Sequence, residues 1–268
     1  MNSTAASGSA WRSGGAYERY MGRWSRLLAP PFLQWLDAPR AQRWLDLGCG
    51  TGALGAAIVE HAAPRALTGV DPSAGFLETA RLALPVSATL QQGSADPIPL
   101  DDGAVDVAVS GLVLNFVPDA VAALREMARV TAGGGTVAVY VWDYAQKMEM
   151  IRRYWDAAAQ FDPRAGAQHQ GERFPLCHPD ALAAAFTHAG LDDVQGTALE
   201  ITMRFADFDD YWQPFLGGQG PAPAHAMQLD EATRARVRER LRDTLPQQRD
   251  GSIELPARAW AARARVAR

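Results

Sequence analysis

Leu45-Asp46-Leu47-Gly48-Cys49-Gly50-Thr51-Gly52 is the stretch that decides how this chain folds. Arg43-Trp44-Leu45-Asp46-Leu47, which leads into it, reads as a short buried strand. Glycines then stand at alternate positions, 48, 50 and 52. Ala53-Leu54-Gly55-Ala56-Ala57-Ile58-Val59-Glu60 reads as the helix that follows. A strand turning into a helix through glycines brings backbone N–H groups up to a ligand with no side chain in the way. A nucleotide-like cofactor is held in this manner at the carboxyl end of a parallel sheet.

Two cofactors compete for that turn. Gly48-x-Gly50-x-x-Ala53 satisfies a dinucleotide fingerprint, and Asp71 lies about where its ribose acid belongs. Asp46 separates the two readings. A carboxylate beside the glycines suits a cationic ligand end, such as an ammonium group, and suits a pyrophosphate poorly. The run from Leu45 to Gly52 closely resembles motif I of class I S-adenosylmethionine (SAM) methyltransferases, acid included. The resemblance covers residues 17–145 by motif and the rest by element order. It implies an α/β fold: a Rossmann-like, seven-stranded, mostly parallel sheet with helices on both faces, the last strand antiparallel, and a helical cap. It also implies SAM as cofactor and a small-molecule acceptor.

Composition is compatible with that. The chain has 268 residues, 48% hydrophobic and 21% charged, enough to bury one sizeable core. A net charge of −4 makes no electrostatic case for nucleic acid. Cys49 and Cys177 lie too far apart in sequence to suggest a disulfide framework, which points to a reducing cytoplasm. No apolar run is long enough for a bilayer. Residues 1–15, rich in Ser, Ala and Gly, read as a flexible tail. Residues 16–268 read as one domain, with cap segments at about 144–176 and 206–248. Monomer and homodimer both fit.

Further residues follow in chain order. An aromatic, basic segment from Tyr17 to Leu28 looks helical, with an interruption expected at Pro30-Pro31. The resemblance places a carboxylate partner for the cofactor in this segment: Arg23, whose guanidinium forks onto carboxylates, with Tyr20 one helical turn away. Ala66-Leu-Thr-Gly-Val-Asp71 is a second strand ending in an acid that can accept a vicinal diol, and Pro72-Ser73 opens the next helix. Ser94 and Ala95 fall where the family meets adenine. Ser94 replaces the usual aspartate, and Asp96 stands two residues on. Val105 to Leu112 reads as a buried parallel strand, and the resemblance implies that its end, through Ser110 and Leu112, passes the cofactor. Gly48, Cys49 and Gly50 complete the expected cofactor set with Asp46.

Thr131 to Gly135 reads as a helix cap before a fifth strand, Thr136 to Trp142. The alternation of strands and helices predicts a parallel sheet covered by helices. It stops after Asp143-Tyr144. Two aromatic pieces then read as a cap closing over substrate. Base candidates are Tyr144, His169 and Asp143, by position after strand five; His178 and His225 also lie in or beside the cap. No histidine or cysteine spacing resembles a metal site. The expected activity is methyl transfer to oxygen, nitrogen or carbon of a small, aromatic or hydrophobic acceptor. The alternatives are an NAD(P)-dependent oxidoreductase on the same turn and a SAM-binding protein without catalysis.

Overall fold

The chain opens on a helical arm that runs α1 (Gly14–Tyr17), a π-turn (Glu18–Gly22) and α2 (Arg23–Leu36). The computed structural model describes residues 14–166, 173–218 and 220–267. The tail expected over residues 1–15 falls mostly outside these, and Gly14 and Gly15 already belong to α1. The interruption expected at Pro30-Pro31 does not occur, since α2 runs through both prolines. A proline removes the helical donor for the carbonyl four residues earlier. Those carbonyls belong to Arg26 and Leu27, both exposed, where water can serve instead. The opposite face buries Leu28, Phe32, Leu33 and Leu36. Each such side chain contributes about 1.5–3 kcal/mol, against about 3 kcal/mol lost per proline.

Strand β1 (Arg43–Leu47), helix α3 (Ala53–Ala62), β2 (Ala66–Asp71), α4 (Ala74–Ala83) and β3 (Thr89–Gln92) follow in the expected alternation. Then come β4 (Val105–Gly111), α5 (Ala120–Val130) and β5 (Thr131–Trp142). Ser73 and Asp119 cap α4 and α5 by accepting the amides of Phe76 and Ala122. Thr131 does cap α5, its amide donating to the Ala128 carbonyl, and the run to Gly135 is at the same time the start of β5. Thr131 pairs with Val105 and Thr136 with Val107, so the glycines fill an irregularity in register. A Cβ on Gly135 would meet the Asp106 carbonyl at 2.6 Å, which is why only glycine fits there.

The remaining elements are α6 (Glu149–Ala158), α7 (Pro179–His188), β6 (Gln195–Phe205), α8 (Phe208–Trp212), α9 (Pro221–Gln228), α10 (Glu231–Thr244) and β7 (Ile253–Arg265). The sheet order is β3-β2-β1-β4-β5-β7-β6. Pairings from β3 to β5 are parallel, and β7 is antiparallel to both neighbours. The seven-stranded, mostly parallel sheet is therefore as expected. Arg263 on β7 donates to the Trp35 and Leu36 carbonyls, at 2.9 and 2.6 Å, and so ties the end of α2 to the sheet.

The aromatic pieces beyond β5 and β6 contribute heavily to the core. Tyr154, Trp155, Tyr211, Trp212 and Phe215 are all buried, and Tyr154 stacks on Phe215 with centroids 4.7 Å apart. They pack against one another and against Tyr20, and they are continuous with the core that covers the sheet. Among the described residues no helix is long and apolar enough to cross a membrane.

Candidate active site

β1, β2 and β4 end side by side, and their exits border a cavity of about 610 Å³. That size is within the usual range for a small-molecule site. The wall contains Asp46, Gly48, Cys49, Gly50, Asp71, Pro72, Ser94, Ala95, Ser110 and Leu112, so the fold places these expected residues around one cavity. Gly48, Gly50 and Gly52 all have positive φ, at 70°, 54° and 90°. A Cβ on Gly48 would also strike Val113 Cγ1 at 2.6 Å. The Gly48 and Cys49 amides both donate to the Val70 carbonyl, which ties the turn to the end of β2.

Asp46 is 1% exposed, and its Oδ2 has no hydrogen-bond partner. Burial, reinforced by the Asp71 carboxylate, pushes its pKa up to about 7, with only the Gly55 amide opposing. Ser110 is equally buried, and its hydroxyl is also unpartnered. Two orphaned polar groups on one cavity wall are groups awaiting a ligand, since buried polar atoms are otherwise paired. Asp71 is oriented firmly. Its Oδ2 accepts the Gly50 amide at 2.9 Å and its Oδ1 the Ser73 amide at 2.8 Å. Each oxygen retains a lone pair for a ligand hydroxyl. Burial raises the Asp71 pKa while these amides hold it down.

Leu112 adopts φ 63°, a left-handed conformation that leucine rarely takes. Its amide donates to the Tyr140 carbonyl at 2.7 Å, which holds the strained residue in place. Such strain clusters at ligand clamps. The Cys49 thiol is pushed up by burial, so it stays protonated and serves as packing. Ser94 borders the cavity, but its hydroxyl is engaged in its own turn, donating to the Asp96 carbonyl at 2.8 Å. Asp96 is exposed and absent from the wall.

Other expectations are corrected. Arg23 does not reach the cavity. Its Nη1 donates to both carboxylate oxygens of Asp210, at 2.9 and 3.1 Å, and the guanidinium lies over the rings of Trp24 and Phe205. Tyr20 packs edge-on against Phe215, away from the wall. The arm instead presents Tyr17, Met21 and Ser25, spaced four apart in sequence. That stripe was legible in the chain, but which stripe faces the sheet was not. Phe76, Tyr140 and Trp142 are further wall residues that sequence reasoning missed.

Of the base candidates, Asp143 is 2% exposed and bound to Arg258 at 2.6 Å, outside the wall. Tyr144 does line the cavity, but burial drives its hydroxyl well above 10, so it can donate and cannot serve as a base near neutral pH. His169 lies outside the described residues. His178 is exposed, and His225 is held between the Tyr154 hydroxyl at 2.7 Å and Asp162 at 3.2 Å. Among the described residues no three His, Cys, Asp or Glu side chains cluster to hold a metal.

The geometry can be set beside known proteins. A family model described as "Methyltransferase domain" matches residues 45–139, the span from β1 into β5. An uncharacterised methyltransferase of Mycobacterium bovis is 40% identical over 129 residues, 48% of this chain. The chain spans about half the length of that relative, 49%. The trans-aconitate 2-methyltransferase of Methylobacterium radiotolerans is 32% identical over 213 residues, covering 75% of this chain and 78% of that one. In fold, the YcgJ protein of Bacillus subtilis superposes with a TM-score of 0.56 at 18% identity, over 90% of this chain and 98% of that one. Turn, acids, sheet order and relatives agree: the chain belongs to the class I SAM-dependent methyltransferases.

Proposed function

We propose that this protein transfers the methyl group of SAM to a small, largely apolar acceptor that needs no base inside the cavity. The carrying observation is the pairing of an orphaned Asp46 beside the glycine turn with an apolar far wall. Asp46 would hold the cofactor's ammonium, Asp71 its ribose hydroxyls, and the Gly93–Ala95 turn its adenine. When bound, the cofactor supplies a methyl group already activated on a sulfonium. The remaining work is alignment and exclusion of water.

Phe116, Phe174 and Tyr144 form a connected aromatic group at the other end, with centroids 5.2 and 5.6 Å apart. Phe116 and Tyr144 line the cavity, and Val117 and Pro118 extend the apolar surface. Among the described wall residues there is no Lys or Arg. Among the described wall residues, the acidic groups are Asp46 and Asp71 at the cofactor end, with the Cys49 thiol and tyrosines that burial keeps protonated. This favours an acceptor atom that attacks without prior deprotonation. The buried, unpaired Cys49 and Cys177 suit a reducing compartment.

Calorimetry with S-adenosylhomocysteine and with NAD tests the cofactor site. Micromolar binding of the first with no heat from the second is expected; the reverse would sink the proposal. Tritiated-methyl transfer into a metabolite extract, with mass identification of the product, names the acceptor. His169→Ala then separates acceptor classes. Turnover within about threefold of wild type is expected, whereas loss of a general base lowers rates about 10²–10⁴-fold.

A further inference from the structure

A ligand with an amino-acid end needs donors for its carboxylate as well as an acceptor for its ammonium. Asp46 provides the acceptor, but Arg23, the residue expected to supply the donors, is locked onto Asp210. Candidate donors do lie close by, and another side chain already holds them. The Thr51 hydroxyl, on the cavity wall, donates to one oxygen of Glu18. The Arg26 guanidinium donates to the other. Arg26 is also close enough for its charge to act on the Tyr17 hydroxyl, another wall residue.

The arm is built to bring Glu18 there. Glu18 opens the π-turn, and its side chain folds back over Gly22. A Cβ on Gly22 would meet the Glu18 carboxyl carbon and both its oxygens at 2.6 Å. A side chain at position 22 would push the Glu18 carboxylate out of that space. Widened helical turns of this kind are frequent at functional sites. The Glu18 side chain keeps 21% of its exposure, so it has an outward path to solvent.

We propose that Glu18 is a stand-in for the ligand's carboxylate: it occupies the Thr51 and Arg26 donors and yields them when a carboxylate-bearing ligand enters. The inference rests on the SAM-site reading and adds a competing internal carboxylate to it. Displacement exchanges one carboxylate for another on the same guanidinium, and Glu18 gains hydration outside. The competition lowers affinity for ligands with the carboxylate and leaves ligands without it alone.

Two probes separate these cases. S-adenosylhomocysteine carries the amino-acid end; 5′-methylthioadenosine has the same thioether nucleoside without it. Calorimetry on Glu18→Gln is expected to show S-adenosylhomocysteine binding about 3–10-fold tighter than to wild type, with methylthioadenosine unchanged within about twofold. Arg26→Met is expected to weaken S-adenosylhomocysteine about tenfold or more, again sparing methylthioadenosine. In the double variant the gain from Glu18→Gln should vanish. Methylthioadenosine binding also reports that each variant is folded. Looser or unaltered S-adenosylhomocysteine binding in Glu18→Gln would overturn the proposal, leaving Glu18 as a structural latch. Parallel changes in both ligands would do the same. If wild type bound methylthioadenosine but not S-adenosylhomocysteine, the carboxylate seat would fall while the nucleoside site stood. If it bound neither, the SAM-site reading would fall first.

Discussion

Asp46→Asn is expected to make the protein more stable and worse at holding its cofactor. The buried carboxylate has a pKa of about 7 when folded, against about 3.8 when free. A group raised on folding adds stability below its unfolded value, and that stability is lost as pH rises through the folded value. Wild type therefore weakens between about pH 4 and pH 7 as the orphaned charge develops in the interior. Asparagine stays neutral throughout. Its advantage should be absent near pH 4, grow with pH, and level off above pH 7 at about 2–4 kcal/mol. For a chain of this size that is a rise of about 5–10 °C in melting temperature at pH 8.

The same substitution removes the acceptor for a cationic ligand end. Truncating one partner of a buried charged pair costs about 2–5 kcal/mol, so S-adenosylhomocysteine should bind about 100-fold more weakly at pH 8. Wild-type affinity should itself fall about tenfold per pH unit below pH 7, because the protonated acid no longer attracts the ammonium. The variant should show no such slope. Thermal unfolding and calorimetry from pH 5.5 to 8.5 read both halves. An Asp46→Asn variant that is less stable at pH 8 yet binds normally would show that the Asp46 carboxylate is not the ligand's partner.

The second large effect concerns Asp143, which its position after the fifth strand made a base candidate. In the fold it accepts Arg258 Nε at 2.8 Å and Nη2 at 2.6 Å, and its own amide donates to the Arg258 carbonyl. Arg258 lies 4.3 Å from the Trp260 ring centroid and also donates to Gln146. This pair joins the end of β5 to β7. Asp143→Ala leaves a guanidinium that is only 13% exposed with Gln146 and the more distant Glu200, at 4.0 Å, as its side-chain partners. Removing one partner of a buried ion pair destabilises by about 3–5 kcal/mol, roughly 10 °C in melting temperature. Adding Arg258→Met should recover much of that loss, since an apolar pair avoids the stranded charge. Methyl transfer per folded molecule should stay near wild type. An alanine variant that melts normally but has lost turnover would return Asp143 to a direct role in the chemistry.

The two aspartates show where reading the chain succeeds and where it stops. The placement of Asp46 and Asp71 at the cavity was legible because it depends on local spacing: Asp46 is next to last in β1 and Asp71 ends β2, and a strand running into a glycine turn or a helix N-terminus has few alternatives. Asp143 also ends a strand, but its partner lies more than a hundred residues later, on β7. Arg23 failed for the same reason, with Asp210 as its distant partner. The arm's Tyr17, Met21 and Ser25 stripe and the Tyr20 and Arg23 stripe are equally plausible on paper. A π-turn and the packing of Tyr20 on Phe215 decided between them.

The aromatic pieces after β5 and β6 show the same limit. Their composition signals burial, but sequence does not divide them into residues that reach the cavity, such as Tyr144, and residues that pack on one another, such as Tyr154 and Phe215. The run of prolines in α2 is the converse: a local rule said stop, and the buried face of the helix overrode it.

What the sequence determined by itself was the glycine turn with its two flanking acids, and hence the sheet class and the kind of cofactor. Those features are encoded in consecutive residues, where backbone geometry and short-range hydrogen bonds leave little freedom. What only the tertiary structure decided was which charges are already matched within the protein and which remain open to a ligand. Arg23, Arg258 and Asp143 found partners far along the chain, whereas Asp46 found none. That difference is set by which distant segments meet, because the energy of a buried charge depends on everything packed around it.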